Sequence, residues 1–194
     1  VSTEIEIEFK NIVTAHEFKQ FLAAFKILPE DFWSQDNLYF DTSNFALKEK
    51  HSALRIRKKK QQFELTLKTP AKEGLLETNQ LISEFEATRM INNESFPKGD
   101  VLQQIQALQV PYEEIVYFGT LTTKRAEIPY LDGLLVFDHN FYLNEEDFEI
   151  EYEVKEPVAG EQNFMNLMKK FNVPLRPVKN KVRRFYETKK NITK

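Results

Sequence analysis

The sequence predicts an α+β chain in which antiparallel strands carry one charged and one apolar face, with amphipathic helices laid over the apolar one. Three observations carry this prediction. The opening strand, Glu4-Ile5-Glu6-Ile7-Glu8-Phe9-Lys10, alternates charge and hydrocarbon with period two. The same pattern returns in Glu149-Ile150-Glu151-Tyr152-Glu153-Val154-Lys155, with basic counterparts between in Arg55-Ile56-Arg57-Lys58-Lys59 and Glu64-Leu65-Thr66-Leu67-Lys68. Finally, the helical segments have apolar stripes that need a sheet to pack on.

In chain order, strands are predicted around residues 2–10, 36–41, 53–60, 62–69, 74–82, 115–128, 133–142 and 147–155. Asp132-Gly133 and Asn144-Glu145 mark turns, and the short links imply antiparallel pairing. Helical periodicity runs from Thr14 to Lys26 (Phe18, Phe21, Leu22 and Phe25 on one face), from Val101 to Leu108, and from Glu161 to Phe171 (Phe164, Leu167, Met168 and Phe171). A shorter helix starts at Ser83, because Ser83-Glu84-Phe85-Glu86 reads as a capping box. The helices constrain the sheet. If the apolar face were turned into an ordinary barrel core, they would have nothing to cover. Either the charged face lines a polar tunnel, or the sheet forms a two-layer sandwich with that face in water.

Carboxylates two residues apart on a strand lie about 7 Å from each other, and at an effective dielectric of 20 each pair repels by about 2 kcal/mol. An enclosed charged face therefore implies bound cations. The chain has 194 residues, enough for a substantial core and for a single domain over 1–194. Its 27 basic and 30 acidic residues leave a net charge of −3, without the basic excess of a nucleic-acid binder. There is no cysteine, so disulfides and thiolate metal sites are excluded. His16, His51 and His139 lack zinc-site spacing. Hard cations, magnesium or manganese, suit such an oxygen-rich site. No apolar run reaches the length of a membrane span and the acidic start is unlike a signal peptide, so a cytoplasmic protein with no membrane partner is expected.

If the charged face is enclosed, its acids are Glu6, Glu8, Glu149, Glu151 and Glu153, and its bases Lys10, Arg55, Arg57, Lys68, Arg125 and Lys181. A polyphosphate chelated to divalent cations satisfies both signs: carboxylates hold the metal, which bridges phosphate oxygens, while arginine and lysine bind the rest. Plainer readings stand for several residues. Lys58-Lys59-Lys60 reads as a solvated strand end, Lys189-Lys190 as a solvated tail, Glu145-Glu146-Asp147 as a turn, His139 as a packing or surface residue, and Trp33 as core. Arg55 and Arg57 could also pair with surface glutamates across strands.

An ordered series of motifs resembles the CYTH superfamily, the triphosphate tunnel metalloenzymes that include class IV adenylate cyclases, thiamine triphosphatases and inorganic triphosphatases. Glu6-Ile7-Glu8-Phe9-Lys10 stands as the ExExK signature. Tyr39-Phe40-Asp41-Thr42 with Leu47, Leu54-Arg55-Ile56-Arg57, Leu67-Lys68-Thr69, Glu77, Arg125, Asp138, the Glu149 to Glu153 strand and Lys181 follow in order, over nearly the whole chain. The resemblance implies an eight-stranded antiparallel barrel open as a charged tunnel and covered by helices. It implies metal ligands among Glu6, Glu8, Asp138, Glu149, Glu151 and Glu153, with Mg2+ or Mn2+ as cofactor. It assigns phosphate contacts and catalysis to Lys10, Arg55, Arg57, Lys68, Arg125 and Lys181, with Lys179 as a further substrate contact and the segment after Phe171 closing one end. Two departures stand out: Asn79 replaces a glutamate common in the family, which weakens a metal role for Glu77, and the histidine-phenylalanine element of the cyclases is missing.

The expected activity is metal-dependent hydrolysis of a terminal phosphoryl group from tripolyphosphate or an organic triphosphate, such as thiamine triphosphate or a nucleoside triphosphate, as in the bacterial inorganic triphosphatases. The alternatives are ATP cyclisation to cAMP, a nucleotide or polyphosphate sensor without turnover, and a plain α+β interaction module. The expected partner is a small-molecule triphosphate, with the chain a monomer or homodimer.

Overall fold

A computed structural model describes residues 2–192 of the chain. Eight strands form, β1 (Ser2–Val13), β2 (Trp33–Thr42), β3 (Ala53–Lys59), β4 (Gln62–Pro70), β5 (Leu75–Ile82), β6 (Ile115–Tyr130), β7 (Gly133–Tyr142) and β8 (Glu145–Val154). Hydrogen-bonded neighbours run β1-β5-β4-β3-β2-β6-β7-β8 and close on β1, giving an eight-stranded antiparallel barrel rather than an open sandwich. The helices are α1 (Ala15–Phe25), α2 (Ala46–Glu49), α3 (Glu84–Ile91), α4 (Asp100–Ala107), α5 (Pro157–Lys170) and α6 (Lys181–Ile192). Two units divide the residues. Among the described residues, one holds 2–6 and Gln35–Leu121, the other Ile7–Ser34 and 122–192.

In the first unit, one parity of β2 to β5 builds the core: Phe40, Leu54, Ile56, Phe63, Leu65, Leu67 and Ile82 pack with Ala87 and Met90 of α3 and Val101 and Ile105 of α4. The Ser83 capping box forms as predicted, with the Ser83 side chain accepting from Glu86 N–H and the Glu86 carboxylate accepting from Ser83 N–H. The start of α4 depends on a glycine. Gly99 sits at φ 143°, and a Cβ there would lie 2.2 Å from the Gln80 side-chain oxygen. The Gln80 carboxamide occupies that space, donating to the Lys98 carbonyl at 2.7 Å. Asp41 ends β2 by accepting the N–H groups of Thr42, Leu47 and Lys48, so the Tyr39 to Thr42 motif fixes a turn and the start of α2.

In the second unit, Phe9 and Val13 of β1, Ala126 of β6, Leu135 and Phe137 of β7, and Ile150 and Tyr152 of β8 pack against Phe18 and Phe21 of α1 and Phe164, Leu167 and Met168 of α5. The Thr14–Glu17 capping box starts α1. Helix α5 begins four residues before the predicted Glu161. Pro157 fits the first helical position, and Gly160 lies where a Cβ would come within 2.5 Å of Val154.

One expectation needs correction. Glu145-Glu146-Asp147 is not a turn but the first three residues of β8; the reversal is made by Leu143, at φ 53°, with Asn144. Lys189-Lys190, read as a solvated tail, is exposed but belongs to the last turn of α6. Lys58-Lys59-Lys60 is an exposed strand end, as read. Among the described residues no helix is long and apolar enough to cross a membrane.

Candidate active site

Strand alternation sets the charged side chains on the sheet face turned away from α1 and α5 in the second unit, and away from α3 and α4 in the first. A solvated face would leave these groups exposed. Instead Asp138 and Glu149 are 0% exposed, Glu151 3% and Arg125 7%. Burying unpaired ions costs several kcal/mol each, and the structure meets that cost with ion pairs.

In the second unit, register lines up Arg125 with Asp138 and Asp138 with Glu149, while Lys10 opposes Glu151 and Glu8 opposes Glu153. The Arg125 guanidinium forks onto Asp138, with Nε 2.7 Å from Oδ1 and Nη2 2.6 Å from Oδ2, and also donates to Glu151 Oε2 at 2.7 Å. The Lys181 ammonium arrives from α6 and contacts Asp138 Oδ2 and Glu149 Oε1, each at 2.9 Å, and Glu151 Oε1. Lys10 pairs with Glu8. Burial opposes the charge on Lys10, but Glu8, Glu151 and Glu149 outweigh it and raise its pKa. Burial also drives the Glu149 carboxyl up, to about 7, against the pull of Lys181. Glu151 is equally buried, yet Lys181 and Arg125 together hold it well below the ordinary carboxylate range. Glu153 is raised, by burial first, with Arg125 Nη1 3.8 Å away acting against that rise.

In the first unit, the Lys68 ammonium donates to Glu6 Oε2 at 2.6 Å and also pairs with Glu77. Burial works against the Glu77 carboxylate, but Lys68 and then Arg55 lower its pKa to about 2. Arg57 Nε donates to Asn37 Oδ1 at 3.1 Å, and the buried Nε of Arg55 has no hydrogen-bond partner. Asn79, at the position where the family often has glutamate, accepts from Thr66 Oγ1 at 2.8 Å and donates to Glu4 Oε1 at 3.2 Å. Glu77 thus stands as a lysine anchor.

The predicted residues therefore fall into two sets, Glu6, Arg55, Arg57 and Lys68 in the first unit, and Glu8, Lys10, Arg125, Asp138, Glu149, Glu151, Glu153 and Lys181 in the second. Lys179 joins neither, forming an exposed pair with Glu187 at 2.7 Å. The sequence reading missed Arg184, whose Nη1 lies 2.5 Å from Glu149 Oε2 and whose Nε lies 3.0 Å from Asp147 Oδ2. The available signal was its helical spacing of three from Lys181.

A divalent cation needs hard oxygen ligands brought close together. The opposed carboxylates of Glu8 and Glu153 offer oxygens within 4.8 Å of each other, and Glu6 stands two residues earlier on the same face of β1. This donor set fits magnesium or manganese. Asp138, Glu149 and Glu151 are engaged by Arg125, Lys181 and Arg184, as Glu8 is by Lys10.

The model of the CYTH domain matches residues 4–186. The chain belongs to the CYTH family. This CYTH chain is 49% identical over 190 residues to the Bacillus subtilis (strain 168) protein named "Putative triphosphatase YjbK", covering 98% of each chain. A crystal structure described as a putative adenylate cyclase from Bacillus halodurans is 41% identical, with a TM-score of 0.93 over 96% of this chain and 100% of that one. The fold is also that of a Hippeastrum protein, described as a putative adenylyl cyclase with dominant triphosphatase activity, at 24% identity and a TM-score of 0.77 over 95% of this CYTH chain and 96% of the other.

Proposed function

We propose that this CYTH chain is a divalent-metal-dependent triphosphatase, releasing orthophosphate from inorganic tripolyphosphate or from an organic triphosphate. One observation carries the reading: buried sheet faces on which carboxylates and cations are packed together, a costly arrangement that contributes little to stability and suits a polyanion bound with its metal. The 49% identity to a protein named as a triphosphatase supports it.

Glu8 and Glu153, with Glu6 beside them on β1, would hold Mg2+ or Mn2+. Bound there, the ion would neutralise phosphate oxygens and acidify a water. Lys10, Arg55, Arg57, Lys68, Arg125 and Lys181 bind the remaining phosphate oxygens and gather the charge that spreads over them as the terminal anhydride bond breaks. The fork on Asp138 fixes the Arg125 guanidinium in plane. Water attacks the terminal phosphorus, the anhydride oxygen leaves on the diphosphate, and no side chain is covalently modified.

The test is phosphate release from tripolyphosphate with Mg2+ or Mn2+ against EDTA, for the native chain and Glu8→Ala/Glu153→Ala. Metal-dependent release that the double variant loses supports the reading. With ATP as substrate, cAMP as the product would replace it with a cyclase. Tight, metal-dependent binding without turnover would replace it with a sensor.

A further inference from the structure

We propose that Arg184 is a positioning residue for Lys181. The inference rests on the reading of Lys181 as a phosphate-binding residue. It starts from α6, where the Asn180 side chain caps the first turn by accepting the Arg183 N–H at 2.9 Å. Lys181 and Arg184, three residues apart, share one face of the helix. They also share one carboxylate: Glu149 gives Oε1 to Lys181 and Oε2 to Arg184.

Arg184 has a second partner, Asp147, which two further side chains hold in place. Asp147 accepts from Asn140 Nδ2 at 2.9 Å and from the Tyr142 hydroxyl at 2.8 Å. Asn140, itself 0% exposed, accepts from Thr123 Oγ1 at 2.7 Å. Side chains from β6, β7 and β8 thus build a platform for the guanidinium. Lys181 instead sets its ammonium on three carboxylates of the charged face, Asp138, Glu149 and Glu151.

The two cations therefore divide the work. To bind a phosphate oxygen, Lys181 must leave at least one of its three carboxylates. Glu149 is fully buried, and its carboxylate form needs a cation beside it. Arg184 supplies that charge and keeps α6 in register while Lys181 moves. Without Arg184, the ammonium is held on Glu149 or the helix loses its seat, and in both cases Lys181 is withdrawn from the ligand.

The experiment is a double-mutant cycle on the full chain with tripolyphosphate and Mg2+, read as kcat/KM and as tripolyphosphate Kd, so that binding without turnover still reports. Losing a charged hydrogen bond to the ligand predicts about a tenfold fall for Arg184→Ala in the native background. The same substitution should change little in a Lys181→Ala background, because Lys181 is then no longer there to position. Arg184→Lys should recover part of the loss. An equal fall in both backgrounds overturns the proposal and leaves the function reading standing. An unaffected Lys181→Ala single variant overturns the Lys181 assignment and the proposal together. Should Arg184→Ala lack a cooperative melting transition, Asp147→Asn, which removes one anion of the platform at constant shape, carries the same cycle with the same criteria.

Discussion

Glu77 shows how a single buried carboxylate ties stability to its neighbours. Its pKa falls from the ordinary 4.5 to about 2: burial opposes the ionised form, and Lys68 followed by Arg55 overcomes that opposition. A depressed folded-state value means that the native state holds its proton less tightly than the unfolded chain does. The stabilisation is therefore complete above pH 4.5 and is lost as the pH falls toward 2. The shift corresponds to about 3 kcal/mol. Glu77→Gln should flatten the fall in melting temperature over that window while lowering stability at pH 7. If the variant and the native chain lose stability in parallel between pH 4.5 and 2, the carboxylate does not carry the charge assigned to it.

At the scale of elements, α4 depends on a backbone conformation that few side chains tolerate. Gly99 at φ 143° and the Gln80 carboxamide fill adjoining space. Gly99→Ala should cost about 1 to 3 kcal/mol, read as a lower urea midpoint, and an unchanged midpoint would show that the start of α4 carries no strain. Elements differ in how plainly they can be read before folding. The strands of the charged faces were legible because alternation with period two survives in the sequence, α1 because Phe18, Phe21, Leu22 and Phe25 share one helical face, and α3 because Ser83/Glu86 is a local cap pair. Helix α6 went unread although Val182, Phe185 and Tyr186 stand at i, i+3 and i+4, because that short apolar run is set among Lys181, Arg183 and Arg184. The β7–β8 reversal, read at Asn144-Glu145, lies one residue earlier, as the positive φ falls on Leu143 rather than on a residue that favours it. Within the site, the residue types were visible in the sequence but the pairings were not. That Glu149 serves both Lys181 and Arg184, or that Glu8 faces Glu153, follows from register and from where α6 docks.

For the molecule as a whole, the charged faces are an electrostatic compromise. The net charge is only −3, yet carboxylates and cations sit buried among one another, each serving as partner to the next. A metal on Glu8 and Glu153 and a triphosphate on the lysines and arginines would replace these internal partners with stronger ones, so binding must favour the folded state. At a ligand concentration of about 100 Kd, linkage gives about 2.7 kcal/mol, which for a chain of this size raises the melting temperature by about 5 to 10 °C. Tripolyphosphate with Mg2+ should produce a rise of that order, EDTA should remove most of it, and orthophosphate at the same concentration should produce far less because it spans too few of the cations. Equal shifts for orthophosphate and tripolyphosphate would mean that the charged faces bind anions one at a time. An interaction module would show no shift with any of them, so the melting curve separates a polyphosphate site from both alternatives without requiring turnover.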